Sequence, residues 1–447
     1  MNLTLLLVLV IVFAFAVGHL ARRLGAGAIR LTGVEFVVVG VLIGPSFGWD
    51  WMTKETLARL DPLVSLLLGL AGLVLGLRFR RSLRHLDATG AGMTSTLLTI
   101  VLVGGCMLAC LVALVPPPQS TDFVVEQVIA RYGDYVMELH FASTHLWLAV
   151  ALGCAASVVS TAAVDAVVRD AKSSGPATVL LEATGTMAQV VPVLVLGLSL
   201  ATARATGSEA PFKMRVAEWA LASVGAALVS GLLFGLFMGR ERDPNRIYLA
   251  TVGLVTFASG VGAALGISPL FMNLLAGITV SATSPHAEQV RERLERLHHP
   301  LFVLLMVFAG AHWSPPVAGA WLLPGVYVVT RTLARRLVTQ PTAVMFMETV
   351  PRARRLGAGL LSQGIMAVAI GLYASRRFPE YSATILTTVL GGILLSDLFA
   401  DRLLREVLID AGEAGKLAPS GATGTPAGSD PPLADPSPSP AKGIRCE

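Results

Sequence analysis

Apolar residues recur along this chain in long runs, each closed by Arg clusters, Gly-Pro pairs or short polar turns. Most runs approach the ~20 residues that a helix needs to cross a bilayer. They fall at approximately 3–20, 32–48, 61–78, 92–115, 145–168, 178–203, 213–238, 247–265, 268–283, 299–312, 318–338, 356–375 and 383–403. The short alternating segments of a transmembrane barrel are not seen. The predicted fold is therefore an all-α polytopic membrane protein of about 13 transmembrane helices, each satisfying its own backbone hydrogen bonds.

The loops test that count. With the N-terminus outside, the cytoplasmic loops collect Arg22, Arg23 and Arg30; Arg78, Arg80, Arg81 and Arg84; Arg169 and Lys172; and the later groups around Arg240, Arg291, Arg335 and Arg354. The long loop 117–144 is external and acidic, with Asp122, Glu126, Asp134 and Glu138, and Arg376 and Arg377 are the main exception to the asymmetry. This is the positive-inside pattern, with the C-terminus cytoplasmic. The first run has no basic residue before it and a basic pair after it, the reverse of a cleaved signal peptide.

Composition narrows the class further. The 447 residues are 54% hydrophobic and 14% charged, with a mean hydropathy of +0.70. The net charge of +5 gathers at helix ends, so it indicates no nucleic-acid partner; the partner is the lipid bilayer. The four cysteines show no metal-ligand or disulfide spacing. No nucleophile–base pair or phosphate loop appears, so no enzyme activity, metal site or cofactor is expected. From about Ala411 the chain turns to Gly, Pro, Ser and Ala, and 411–447 reads as a disordered cytoplasmic tail.

One stretch departs from ordinary membrane packing. From Cys154 to Ala201, small and hydroxyl residues occupy places where lipid-facing Leu and Val are expected. Polar groups at membrane depth are costly and face a bundle interior or a cavity. Within it, Ala156-Ser-Val-Val-Ser-Thr-Ala-Ala resembles Ala358-Gly-Leu-Leu-Ser-Gln-Gly-Ile in the twelfth run. Two readings stand: matched breaks in two helices at a transport site, or two small-residue faces for close packing.

Several motifs in chain order resemble the cation:proton antiporter superfamily. RLTGVEFVVVGVLIGPSFG is similar to its Gly-rich second helix, and LVSLLLGLAGLVLGLRFRRSLR to the next helix with its basic exit. GISPLFMNLLAGITVSATSPHAEQVRERLERLHHPLFVLLMVFAGAHW resembles its ninth and tenth helices, and RLGAGLLSQGIMAVAIGLYAS its penultimate helix. The resemblance, over roughly 3–405, implies inverted repeats, two crossed broken helices and alternating access. It also implies core helices at about 92–203 and 318–403, scaffold and dimer helices at about 3–78 and 247–312, a linker helix at about 213–238, and a homodimer.

Carried over by position, the resemblance puts Ser160 and Thr161 where the broken fifth helix presents its ion-binding pair. The family's next helix resembles Glu-Ser-x-x-Asn-Asp, whose final Asp exchanges a proton for a cation. Laid on LLEATGTMAQ, the Glu matches Glu182, the Asn falls on Thr186 and the essential Asp on Met187; a shift of two puts Gln189 there. Neither register supplies an acid. By helix rise, Glu182 sits about 7 Å and Arg331 about 10 Å from the cytoplasmic ends of their spans. Asp165 lies at similar depth, so the three are expected to cluster on the floor of a cytoplasmic cavity, with Glu182 titrating and Arg331 its competitor or counter-ion. Gln363 falls where relatives carry a polar or basic residue.

Each residue also has a structural reading. Asp165 can pair with Arg169 four residues on, Glu182 can favour a helix start, and Arg331 can snorkel. Ser160 and Thr161 can bond their own backbone, and Asp397 and Asp401 can pair with Arg402 or Arg405. The functional expectation is secondary transport, Na+ or K+ against H+, in a bacterial inner membrane. The alternatives are an anionic or neutral solute on the same scaffold, and a non-transporting sensor or assembly protein.

Overall fold

The computed structural model describes residues 34–46, 53–82, 85–115, 134–205, 216–238, 241, 243–284, 286–347 and 355–415. They are helical nearly throughout. In chain order the helices are α1 (Val34–Ile43), α2 (Lys54–Ser82), α3 (Leu86–Leu114), α4 (Asp134–Ser157), α5 (Thr161–Asp170), α6 (Pro176–Ala205) and α7 (Val216–Met238). There follow α8 (Pro244–Leu265), α9 (Pro269–Thr283), α10 (Ala287–Glu295), α11 (His298–Ala311), α12 (Leu323–Phe346), α13 (Ile365–Arg377) and α14 (Ser382–Asp410). Short 3-10 turns at Ala318–Leu322 and Leu356–Leu360 lead into α12 and towards α13.

Among the described residues, seven helical stretches are long and apolar enough to cross a membrane, and α10 with α11, bent by 56°, makes an eighth. The expected span at 3–20 lies outside the described residues. The other twelve expected spans each coincide with a helix, the fifth and twelfth in two pieces. Helix α4 starts at Asp134, eleven residues before the apolar window, because backbone pairing carries a helix beyond the hydrocarbon edge. Leu221, Leu236, Leu249 and Met345 are each more than 70% exposed, which water would penalise and lipid tails do not. The chain is an integral membrane protein.

Helix α9 packs against α2, α7 and α8, while α3 packs against α4, α6 and α12. Where α2 meets α9, Gly76 and Gly277 face one another: a Cβ on Gly76 would lie 2.3 Å from the Leu274 carbonyl oxygen. Small residues are what let two backbones approach this closely. At the opposite end of α2, Arg376 pairs with Asp61 at 3.2 Å, which neutralises one of the two basic residues that broke the loop-charge pattern.

The chain beyond α14 corrects one expectation. Residues 411–415 are ordered rather than part of a disordered tail. Glu413 is 4% exposed; its Oε1 accepts from the Ala177 amide (2.7 Å), and its Oε2 from the Thr178 amide (2.8 Å) and hydroxyl (2.7 Å). The amide of Gly415 donates to the Ala171 carbonyl at 2.9 Å. The first amides of a helix have no partner within it, so α6 draws a carboxylate from 236 residues away. Composition does not reveal a cap supplied from so distant a point. Residues 416–447 lie outside the described residues.

Removing this cap should be measurable. Glu413→Ala should lower the stability of the purified protein by about 1–2 kcal/mol, read as a lower thermal midpoint in detergent, while Glu413→Gln, which keeps one acceptor, should lose less.

Candidate functional site

The Cys154–Ala201 stretch contains a true break. Helix α4 stops at Ser157 and α5 starts at Thr161, and the Leu356–Leu360 turn is likewise separated from α13. The two breaks cross. The Ser160 amide donates to the Ser362 carbonyl at 3.0 Å, and a Cβ on Gly364 would come within 3.0 Å of Ser160 Oγ. The Ala156–Ala163 and Ala358–Ile365 segments are therefore matched breaks rather than two continuous small-residue faces.

A break strands carbonyls that a continuous helix would pair, and each needs a donor at this depth. Four side chains provide them. For the first break, Gln363 Nε2 donates to Ala155 (3.0 Å), Arg331 to Ala156 (2.5 Å) and Val158 (2.7 Å), Arg335 to Ser157, and Gln189 Nε2 to Val159 (2.9 Å). For the second, Arg331 donates to Leu360 (3.3 Å) and Leu361. Arg331 and Arg335 are both 0% exposed. Their positive charges sit where the negative ends of two half-helices meet. The opposite ends carry acceptors: Ser160 Oγ takes the Ala163 amide (3.3 Å), and Asp397 Oδ1 takes the Gln363 amide (3.1 Å).

This arrangement corrects the expectation for Arg331. Arg331 does not join Glu182 and Asp165, nor does it snorkel; one helix turn points it inward, where four carbonyls hold it. Met187, at the position of the family's acid, is 2% exposed in an apolar cluster, whereas Gln189, two residues on, reaches the break. Asp397 stands at the second break, where it accepts the Gln363 amide, and Arg402 pairs with Glu406 (3.3 Å). Tyr327, whose hydroxyl accepts from Gln363 Nε2 at 2.8 Å, drew no notice in the sequence, and Arg335 was counted as a loop charge. Their spacing was the available signal: Tyr327, Arg331 and Arg335 recur every fourth residue, one polar face on an otherwise apolar helix.

Glu182 and Asp165 do share a cavity, of about 660 Å3, with Thr161 and Thr186. Its opposite wall is basic as well as acidic. Arg78 donates from Nη1 to Thr161 Oγ1 (3.2 Å) and from Nε to Glu295 (3.1 Å). Arg291 clasps Glu288 (2.5 and 2.9 Å) and also reaches Glu295. Thr161 Oγ1 is thus shared between Arg78 and Gln189 Nε2 (3.1 Å), so the cavity ends at the break. Thr186 turns its hydroxyl to the Glu182 carbonyl at 3.0 Å. Among the described residues no cluster of His, Cys, Asp and Glu suits a tightly held metal ion. The cavity instead offers carboxylate and hydroxyl oxygens, which suit hard cations held loosely.

Comparison with protein families matches residues 6–400 to the one described as "Sodium/hydrogen exchanger, transmembrane". Among solved structures, the chain is similar to the sodium proton antiporter MjNhaP1 from Methanocaldococcus jannaschii at pH 8. The TM-score is 0.64 at 14% identity, covering 93% of this chain and 100% of that one. An electron-microscopy map of the same antiporter gives a TM-score of 0.54, also at 14% identity, over 90% and 94% of the two chains. No curated protein matches the chain by sequence.

The crossing makes graded demands on its residues. Arg331→Met leaves four carbonyls without donors and should cost about 3–5 kcal/mol, read in thermal unfolding. Arg335→Met removes one hydrogen bond and should cost clearly less. Met187→Asp places an acid among apolar side chains, so it should destabilise the protein rather than create an ion site.

Proposed function

Because the chain belongs to the sodium/hydrogen exchanger family of transmembrane proteins, we propose that it is a secondary active transporter exchanging Na+ or K+ for H+ by alternating access. The observation that carries this reading is the cavity reaching from Glu182 and Asp165 to Thr161 at the crossed breaks. A small cation entering it meets two carboxylates and two hydroxyls, then the backbone crossing that separates it from the other side. Glu182, the more exposed of the carboxylates at this mouth, takes up the cation or the proton. Asp165 adds a second negative charge, which favours holding one positive charge between them.

Arg78 has a distinct part in this reading. Its guanidinium bridges Thr161 on α5 and Glu295 on α10, so it ties the broken helix to its neighbours when no cation is bound. Arrival of a cation at Thr161 displaces that contact and frees the crossing to move. The moving body comprises the core helices at about 92–203 and 318–403. It slides against the scaffold at about 3–78 and 247–312, through which two copies dimerise, with 213–238 as the linker. The chain works in a bacterial inner membrane without a cofactor, its N-terminus outside and its C-terminus cytoplasmic.

Purified protein in liposomes loaded with a pH-sensitive dye decides the matter. Addition of Na+ or K+ should change the internal pH, and silence at every value between about pH 6 and 9 would remove the reading. Glu182→Gln should flatten the dependence of exchange on pH. An unchanged profile would take Glu182 out of the proton pathway.

A further inference from the structure

Arg78, which lines the cavity, stands near one end of α2. About 26 Å along the helix from it, near the other end, stands Asp61. There Arg376, in the last turn of α13, closes onto α2. Its Nη2 lies 3.2 Å from Asp61 Oδ1 and 3.4 Å from the Asp61 carbonyl oxygen, and its Nη1 donates to Ser65 Oγ at 3.3 Å. None of these three residues lines the cavity. The residues beside them are tightly packed: Val64 and Ala311 are fully buried, and Ser375 is 2% exposed.

The contact joins two packing units. Helix α2 is fixed to α9, where a Cβ on Gly72 or Gly76 would meet the backbone of Leu270 or Leu274; backbones this close hold the two helices together as one body. Helix α13 packs mainly against α4 and α14. It also follows directly from the second break, since its N-cap is Gly364, the residue that packs on Ser160 of the first. A shift of the crossing is therefore passed along α13 to Arg376.

The pair is suited to opening. The Asp61 side chain is 46% exposed and that of Arg376 20%, so water can replace either partner, and ion pairs of this kind add little to stability. Arg376 Nε is buried without a hydrogen-bond partner among the described residues, so one donor of its planar fork goes unused. His312, at the end of α11, lies near both charges, with its Nδ1 against the Phe308 carbonyl at 2.8 Å. Arg376 is also one of the two cations that run against the charge asymmetry of the loops, so the rule that orients the chain does not account for it.

Resting on the exchange reading, in which access to the crossing alternates between the two faces, we propose that Asp61, Ser65 and Arg376 form the gate on the face opposite the cavity. In this structure the cavity is open and the gate is shut. When the crossing moves the other way, Arg376 leaves α2, water solvates both charges, and a path opens beside Val64. Arg78 and Asp61 lie on the same helix, so α2 meets the moving body at both ends. The three gate residues position the moving body and take no part in binding the cation.

The test reads opening directly, on the full-length protein in detergent. Val64→Cys puts a thiol at a fully buried position one helical turn from Asp61, where a water-soluble maleimide reaches it only while the gate is open. Mass spectrometry follows that position separately from Cys154, which is buried in the bundle and reports general loosening. In this background, Asp61→Asn and Arg376→Gln should each speed labelling at position 64 about threefold and leave Cys154 unchanged. Combining Asp61→Arg with Arg376→Asp, which restores a pair with its charges exchanged, should slow it again. Labelling at position 64 that no variant changes, or an equal rise at Cys154, overturns the gate. Should a single-charge variant fail to fold, Ser65→Ala decides instead, and unchanged labelling in it overturns the gate. Na+ or K+ should speed labelling in Val64→Cys alone if cation arrival frees the crossing. Faster labelling in the gate variants, with no cation effect and no liposome dye response, would sink exchange and leave the gate standing; a normal dye response with labelling that no variant changes would do the reverse.

Discussion

A single guanidinium joins the two halves of this molecule. Arg331 is fully buried and donates to the carbonyls of Ala156, Val158, Leu360 and Leu361. Breaking a helix at membrane depth exposes backbone groups that lipid cannot satisfy, and burying a cation there is equally unfavourable alone. Each problem answers the other. The crossed breaks exist because the arginine is present, and the arginine is tolerated because the breaks present the negative ends of two half-helices.

From that contact the remaining polar residues take their places. Gln189 and Gln363 close the outermost carbonyls of the first break, Ser160 and Asp397 cap the opposite ends, and the cavity stops where Thr161 is shared between Arg78 and Gln189. The interior is therefore divided by chemistry: a saturated backbone crossing, and beside it an open chamber of carboxylates and hydroxyls. The chamber has room for a guest cation without breaking an existing bond of Arg331.

The spans and the breaks were legible because each leaves a pattern: apolar windows of bilayer length, and a polar, small-residue motif repeated about two hundred positions later. That Glu182 and Asp165 share a cavity was also legible, since depth along a helix follows directly from residue count. Direction around the helix does not, for want of a known neighbour. Arg331 was expected beside Glu182 and Asp165 and instead faces the crossed breaks, while Met187, where the comparison puts the family's acid, lies in apolar packing. The contact of Asp397 with the Gln363 amide, 34 residues away, spans a crossing that sequence does not draw. The Glu413 cap was missed for the same reason, and by a greater distance.

The Arg331 contact also bears on how the protein is made. A chain synthesised from its N-terminus places α4 and α5 in the membrane before α12 emerges, so the carbonyls of Ala156 and Val158 are already waiting for the guanidinium. Those of Leu360 and Leu361 come about thirty residues later in the chain. Until they arrive the charge is half-solvated by protein, and the helix that bears it has reason to remain loosely inserted. Completion of the bundle thus waits on its last two helices, and a nascent chain stopped short of the second break carries an arginine without a settled place.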